Sequence, residues 1–246
     1  MAPAAPAAAH APRPGVVSHL DSAPPQPAAL KHGGGSPTAT AANAQPGSSM
    51  LPAEWCGDPH GPGFAGALAN PGAPSIQLVY AYPADAPNGV GEIANALQGD
   101  VSIIDRFVAD QAGQRKTLRF AMGTRCGNQY VDLMVVRLPE VGAAYLIPQG
   151  VQALVRADAI VAQLHALLPH GVAGKRNYLV FVDGVANQPV GMGEQIVRAD
   201  VAGASNPNND GGRLGLVFAG PVPQGAAAYE PSMLLHEASH TLGAVQ

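Results

Sequence analysis

Short stretches of the chain place a large apolar or aromatic residue at every second position, whereas longer stretches repeat apolar residues at helical spacing. Ser75–Pro83 has the first pattern, in which isoleucine, leucine and two tyrosines alternate with glutamine, valine and alanine, as is typical of a β-strand. Glu92–Gln111 has the second pattern, and Gly113 follows it as a residue that commonly ends a helix. The folded region is therefore predicted to start with a strand and a helix.

A second strand and a second helix are predicted further along. Tyr130–Pro139 is rich in valine and other apolar residues and indicates a strand, and Val151–Leu168 has the apolar spacing of an amphipathic helix. The run Asn177–Gly184 is almost wholly apolar, which is the pattern of a central strand covered on both faces.

The remaining segments complete a sheet and lead to a last helix. Gly191–Asp200 is predicted to be a short edge strand, Ala202–Gly212 a polar loop, and Arg213–Gly220 the last strand. Ser232 is a good N-cap for a final helix. Strands that alternate with helices predict a mixed α/β (α+β) fold, with one largely parallel, twisted sheet and helices packed on it.

The first fifty residues differ in composition from the rest. Met1–Met50 contains no Phe, Trp or Tyr, has only three charged residues, and is dominated by Ala, Pro, Gly and Ser. Such a segment buries too little apolar surface to offset its ordering entropy, so we expect a disordered tail or linker over residues 1–50. The folded domain is expected to span residues 51–246.

Charge and hydropathy limit the classes of partner that this protein is expected to bind. The net charge of −4, with 12% charged residues, provides no basic face for nucleic acid and no polybasic patch for a membrane surface. There is no apolar run of about 18 residues that would span a membrane, and the N-terminus shows no apolar core of an export signal.

The chain has two cysteines, Cys56 and Cys126, and each lies beside a glycine. We expect a disulfide that links the start of the domain to its middle, which would indicate an oxidising, extracellular setting. Two buried free thiols are the alternative. The CGDP sequence at Cys56 also partly matches the thiol segment that caps the zinc of matrixins, although a disulfide explains this cysteine more simply.

Candidate chemistry is concentrated in the segment MLLHEASHTLGAVQ at the end of the chain. His236 and His240 are four residues apart, so on a helix their imidazoles share one face and can bind one zinc ion. Glu237 is rotated off that face and could act as general base toward a metal-activated water. The alternative is that the two histidines lie on an amphipathic helix by chance and bind no metal. The apolar residues that precede them and the predicted N-cap favour a zinc site.

The motif HEASHTLG resembles the HExxHxxGxxH signature of the metzincin clan of zinc endopeptidases. His236, Glu237, His240 and Gly243 match the signature position by position, and the resemblance implies that the chain turns at the glycine toward a third ligand. Gln246 occupies the position of that ligand and does not match. A glutamine amide is not a usual zinc ligand, so the chain as given is expected to bind zinc weakly and to hydrolyse little.

Further stretches, WCG, LVYAYP, MGTRCGNQYVD and LHEASHTLGAVQ, resemble a group of secreted bacterial metzincin-like proteins that carry GAVQ after the motif. The resemblance implies a zincin-like fold, a polypeptide substrate and an extracellular location. It also implies a chain that continues beyond Gln246 to a further histidine and a Met-turn, so that residues 51–246 would be the N-terminal catalytic subdomain, ending at the active-site helix.

Two interpretations of function remain open. The first is a zinc-dependent endopeptidase, and the second is a non-catalytic extracellular module that binds polypeptide on the same scaffold. Retention of Glu237 favours the enzyme, whereas the missing third ligand favours the module. In either case an extended peptide would lie along an exposed strand beside the two histidines, for which Gly191–Arg198 and Leu214–Ala219 are the candidates.

Overall fold

The computed structural model describes residues 16–22, 51–62, 74–113, 116–149, 152–169, 175–185, 190–196, 207–218 and 230–244. The strands are β1 (Val16–Ser22), β2 (Ser75–Tyr82), β3 (Met122–Thr124), β4 (Gly127–Val131), β5 (Leu133–Arg137), β6 (Leu146–Gln149), β7 (Gln152–Val155), β8 (Arg176–Val182), β9 (Val190–Ile196) and β10 (Leu214–Phe218). The α-helices are α1 (Val90–Gln111), α2 (Ala157–Leu167) and α3 (Glu230–Thr241). Within these ranges, no helix is long and apolar enough to cross a membrane.

Six strands form the main sheet in the order β1-β9-β10-β8-β2-β5. Strands β10, β8, β2 and β5 are parallel to one another, whereas β9 pairs antiparallel with β10 and β1 pairs antiparallel with β9. The predicted mixed α/β fold with a mostly parallel sheet is confirmed.

Both faces of the sheet are covered, which explains the apolar run in β8. Tyr178, Val180 and Val182 of this strand pack on the face covered by α2, while Leu179 and Phe181 pack on the opposite face with residues of α1 and α3. All seven residues of β8 are buried. Because successive strand residues point to opposite faces, a strand between two helical layers needs apolar side chains at nearly every position.

Two predicted elements are divided differently in the structure. The predicted strand Tyr130–Pro139 is two strands, because the chain changes partner at Asp132: β4 pairs with β3, and β5 pairs with β2. The prediction of one helix over Val151–Leu168 is wrong at its start. Gln152–Val155 is β7, which forms a hairpin with β6, and α2 begins only at Ala157. Cross-strand pairing outweighs helical spacing in this apolar stretch.

Strand β1 lies within the segment for which a disordered tail is expected. Its seven residues pair with β9 from Val16 opposite Ile196 to Ser22 opposite Val190. These residues are therefore a strand in the structure, whereas the rest of residues 1–50 lies outside the described part of the chain.

The start of the domain is tied to the β3–β4 hairpin by the predicted disulfide. Cys56 and Cys126 are bonded, with their α-carbons 5.8 Å apart, so the prediction of a disulfide is confirmed. The hydroxyl of Thr124 donates a hydrogen bond of 2.7 Å to the carbonyl of Cys56, and the indole of Trp55 donates one of 2.9 Å to the carbonyl of Val131. The extracellular location that a disulfide suggests remains a prediction.

His60 extends the sheet beyond β5 and forms an ion pair with Asp132. The backbone N–H of His60 donates to the carbonyl of Leu133, and the N–H of Val135 donates to the carbonyl of His60. The His60 Nε2 lies 2.8 Å from Oδ1 of Asp132, and both side chains are largely buried. Burial lowers the pKa of His60, but the hydrogen bonds to Asp132 and to the Gly61 carbonyl, with the Asp132 charge, outweigh it, so the pKa is raised.

The raised pKa predicts a pH-dependent contribution of His60 to stability. The contribution is fully present below the unfolded-state pKa of about 6.5 and is lost as pH rises through the higher folded-state pKa. Urea unfolding of the wild type and His60→Gln should therefore show a larger difference at about pH 5 than at about pH 8. In an Asp132→Asn background this pH dependence should disappear, and a difference that grew with pH would contradict the assignment.

Candidate metal centre

Helix α3 carries the HExxH motif and is fixed to the sheet by its apolar face. Met233, Leu234 and Ala238 are buried against the face of the sheet that also carries α1. The helix begins at Glu230, two residues before the predicted start, so Ser232 lies in its first turn rather than at its cap. Pro231 suits this position because the first turn of a helix needs no backbone donor there.

The end of α3 has the turn that the motif predicts. Gly243 has a φ of +71°, a left-handed conformation that a glycine adopts without strain. The N–H of Gly243 donates to the carbonyl of His240, and the N–H of Ala244 donates to that of Ser239, which together are the two hydrogen bonds of a Schellman motif. The chain therefore turns sharply after the motif, whereas Gln246 lies outside the described residues.

The two histidines converge as the spacing predicts. Nε2 of His236 lies 3.2 Å from Nε2 of His240, and the rings are nearly perpendicular, with an interplanar angle of 89°. Two nitrogens that each bind a tetrahedral zinc at 2.0–2.1 Å are about 3.3–3.4 Å apart. The spacing of the two ring nitrogens thus fits a shared zinc ion without rearrangement of the helix.

Glu237 lies on the side of α3 that faces β9. Its side chain is buried, with only 1% of its surface exposed, and His240 is buried to a similar degree, whereas His236 is half-buried. The helix is further fixed at its end, where the side-chain amide of Asn177 on β8 donates a 3.1 Å hydrogen bond to the carbonyl of Thr241. The carboxylate of Glu237 is consequently set between a fixed helix and the sheet.

Three glycines make this close packing possible, and the sequence analysis did not identify them. Gly191 and Gly193 lie on β9, and Gly215 of β10 pairs directly opposite Gly193. We call this group the glycine floor. A β-carbon at Gly191 would fall 1.9 Å from Oε1 of Glu237, and one at Gly193 would fall 2.2 Å from Cβ of His240. Glycines at alternate positions of a predicted strand were the available signal for a close approach.

The two candidate peptide-binding strands have different environments. Strand β10 is interior, between β9 and β8, and so provides no edge. Strand β9 lies beside α3, but its outer edge is paired with β1 along all seven residues. Strand β9 therefore lies beside the two histidines, as expected. Its outer edge is paired with β1, so the expected exposure is not found.

The described residues contain no cluster of three or more His, Cys, Asp or Glu side chains arranged for a metal ion. Two other histidines make contacts away from the motif. His60 pairs with Asp132, and His165 of α2 lies 2.9 Å from Oε1 of Glu194, whose carboxylate also accepts a hydrogen bond from the N–H of Leu214. Within the described ranges the candidate centre thus offers the two imidazoles of α3 and the Glu237 carboxylate.

No protein-family model matches the sequence, and no curated protein matches it. Solved structures that are similar include wild-type OgpA from Akkermansia muciniphila, which has 12% identity, a TM-score of 0.40, and coverage of 72% of this chain and 50% of that chain. Another is catalytically inactive OgpA in complex with the O-glycopeptide substrate glycodrosocin, with 10% identity, a TM-score of 0.38, and coverage of 72% and 49%. The chain spans about half the length of these proteins, and a likeness of this extent does not establish a shared family.

Proposed function

We propose that the chain is the N-terminal catalytic part of a zinc-dependent endopeptidase. His236 and His240 would hold the metal, and Glu237 would act as general base. The observation that carries the proposal is the 3.2 Å separation of the two Nε2 atoms on one helix, with a buried carboxylate between them in sequence. The match of the motif to the metzincin signature, including the turn at Gly243, supports the same assignment.

The roles of the side chains follow from their chemistry. Zinc, when bound, lowers the pKa of a coordinated water to roughly 7 and polarises the peptide carbonyl. The neutral imidazoles of His236 and His240 would supply the nitrogen ligands, and Glu237 would take a proton from the attacking water and pass it to the leaving amine. On the side of β9 the carboxylate lies close to Gly191, where a β-carbon would fall 1.9 Å from Oε1.

A polypeptide is the substrate class that the sheet favours. Main-chain hydrogen bonds at a strand edge hold extended peptides with little dependence on their sequence. Strand β9 lies beside α3, and its outer edge already accepts an extended segment of chain in β1. The disulfide between Cys56 and Cys126 supports an extracellular location, where disulfides persist.

Metal titration tests the ligand assignment in the 246-residue chain. We expect weak zinc binding in the wild type, because catalytic zinc normally has at least three protein ligands. His236→Ala and His240→Ala should each lower the affinity by about 100-fold, since even a partner of a ligand contributes 10–100-fold. Competition with a chromogenic chelator measures the affinity, and His165→Ala is the matched histidine control. Equal affinities in all four proteins would contradict the metal centre.

A non-catalytic module that binds polypeptide is the second candidate. Two observations favour it: β9 already pairs with an extended segment, and the described residues provide only two imidazoles for a metal. The module predicts that peptides bind without cleavage at saturating zinc. The enzyme predicts that a polypeptide extended past Gln246 by a third ligand gains both zinc affinity and turnover.

A further inference from the structure

The glycine floor separates two kinds of contact between the sheet and α3. At Gly191 a β-carbon would meet the end of the Glu237 side chain, at 1.9 Å from Oε1, 2.6 Å from Cδ and 2.9 Å from Cγ. At Gly193 it would meet His240 at 2.2 Å from Cβ, 2.7 Å from Cγ and 2.9 Å from Cδ2. At Gly215 it would meet the backbone carbonyl oxygen of Glu237 at 2.9 Å. Only at Gly191 do all three of the nearest atoms lie further along a side chain than its β-carbon.

We propose that Gly191 is a positioning residue for the Glu237 carboxylate, whereas Gly193 and Gly215 set the depth at which α3 lies on the sheet. The catalytic meaning of this assignment rests on the proposed function, because it takes Glu237 as the base. The contact itself does not depend on that function.

Glycine destabilises a strand interior, so three glycines in the glycine floor indicate that side chains are excluded there. A glycine in a strand interior is less favourable than alanine, because it loses more backbone entropy on folding and packs no side chain. Here all three glycines lie on the face under α3, while Met192 between two of them packs into the core on the other face. The side chains are thus missing only where α3 approaches.

The atoms in contact determine what each substitution should displace. An alanine at Gly191 requires the carboxylate to move while the backbone of α3 stays in place, so the two imidazoles keep their spacing. An alanine at Gly193 conflicts with a β-carbon, which every residue except glycine has. It therefore requires the helix to move, and the separation of the two Nε2 atoms changes with it.

A double-mutant cycle on unfolding tests the contact at Gly191. Gly191→Ala should raise the unfolding equilibrium constant about tenfold, since overpacking of a close-packed site is destabilising. In a Glu237→Ala background, which lacks Cγ, Cδ and Oε1, the same substitution should raise it about threefold or less. Gly193→Ala should remain destabilising in a His240→Ala background, because the alanine keeps the β-carbon at 2.2 Å although it removes the contacts with Cγ and Cδ2.

Gly99→Ala is the matched control for a glycine-to-alanine change. Nothing lies within 4 Å of a β-carbon built at this position of α1, so the variant should lose no stability. Urea unfolding gives all the equilibrium constants. If Gly191→Ala does not fold, recovery of folding in Gly191→Ala/Glu237→Ala gives the same support. Equal losses in both backgrounds, or failure of both proteins to fold, would overturn the assignment.

Two further measurements separate positioning from a purely structural effect. Gly191→Ala should keep the zinc affinity of the wild type but lower kcat more than it raises KM, while Gly193→Ala should lower zinc affinity as well. Unfolding of the metal-free protein requires neither zinc nor turnover. Non-additivity at Gly191, with no turnover in a polypeptide extended past Gln246 by a third ligand, would therefore contradict only the proposed function. Additivity in an active extended polypeptide would contradict only the positioning role.

Discussion

In a polypeptide extended past Gln246 by a third zinc ligand, replacing Glu237 with alanine is expected to lower peptide hydrolysis by about 10²–10⁴-fold and to leave zinc affinity unchanged. The Glu237 carboxylate lies against Gly191 of β9, whereas the Nε2 atoms of His236 and His240 lie 3.2 Å from each other. Loss of the carboxylate therefore removes the proton acceptor and keeps both nitrogen ligands. Initial rates of cleavage of a fluorogenic peptide at saturating zinc measure the first effect, and chelator competition measures the second.

The control for this experiment is Glu92→Ala, which removes an exposed carboxylate from the first turn of α1. It should leave both rate and zinc affinity unchanged. The parent of the extended polypeptide should hydrolyse peptides faster than the 246-residue chain, for which weak zinc binding and little hydrolysis are expected. Turnover that survives the removal of Glu237 would refute its role as base.

Replacing Cys56 and Cys126 with serine is expected to lower the free energy of unfolding by about 4 kcal/mol, from the loop-entropy relation for the residues between them. The two cysteines are 70 residues apart in sequence, so the bond restricts a large loop of the unfolded chain. The bond also holds the segment with Trp55 against the β3–β4 hairpin. Urea unfolding, with the wild type under oxidising and reducing conditions as a second comparison, measures the loss.

Thr124→Val provides a reference for the size of the stability loss measured in the disulfide experiment. It removes two hydrogen bonds while keeping the covalent link: the one that the Thr124 hydroxyl donates to the Cys56 carbonyl and the one that it accepts from the Cys126 N–H. The expected cost is about 2 kcal/mol, since each such bond contributes about 1 kcal/mol net. If the double serine variant lost no more stability than Thr124→Val, the restriction of the unfolded chain would be a minor contribution.

The elements that were predicted correctly are those whose pattern is set by local burial. Strand β8 is apolar throughout because helices cover both faces of the sheet, and β2 lies beside it with the alternation of a strand. The start of α2 was predicted incorrectly because Gln152–Val155 pairs with β6. Apolar spacing cannot distinguish a short strand from a helical turn when the partner strand decides the outcome.

The candidate site likewise has one feature that follows from local sequence and one that depends on distant elements. The convergence of His236 and His240 depends only on the geometry of one helix, so four-residue spacing was enough to predict it. The glycine floor depends on how β9 and β10 lie beneath that helix. Glycines also occur in turns and loops, so a glycine pattern in the sequence does not specify the element that approaches it.

The pairing of β1 with β9 makes the affinity of that strand edge a competition within one chain. Any polypeptide that adds to the outer edge of β9 must replace seven residues that are tethered to the same domain. Because β1 belongs to the same chain, its effective concentration at β9 does not depend on the concentration of the protein. A free peptide therefore meets a competitor that dilution of the protein does not remove. Its apparent dissociation constant reports the difference in free energy between two strand pairings rather than the strength of either one.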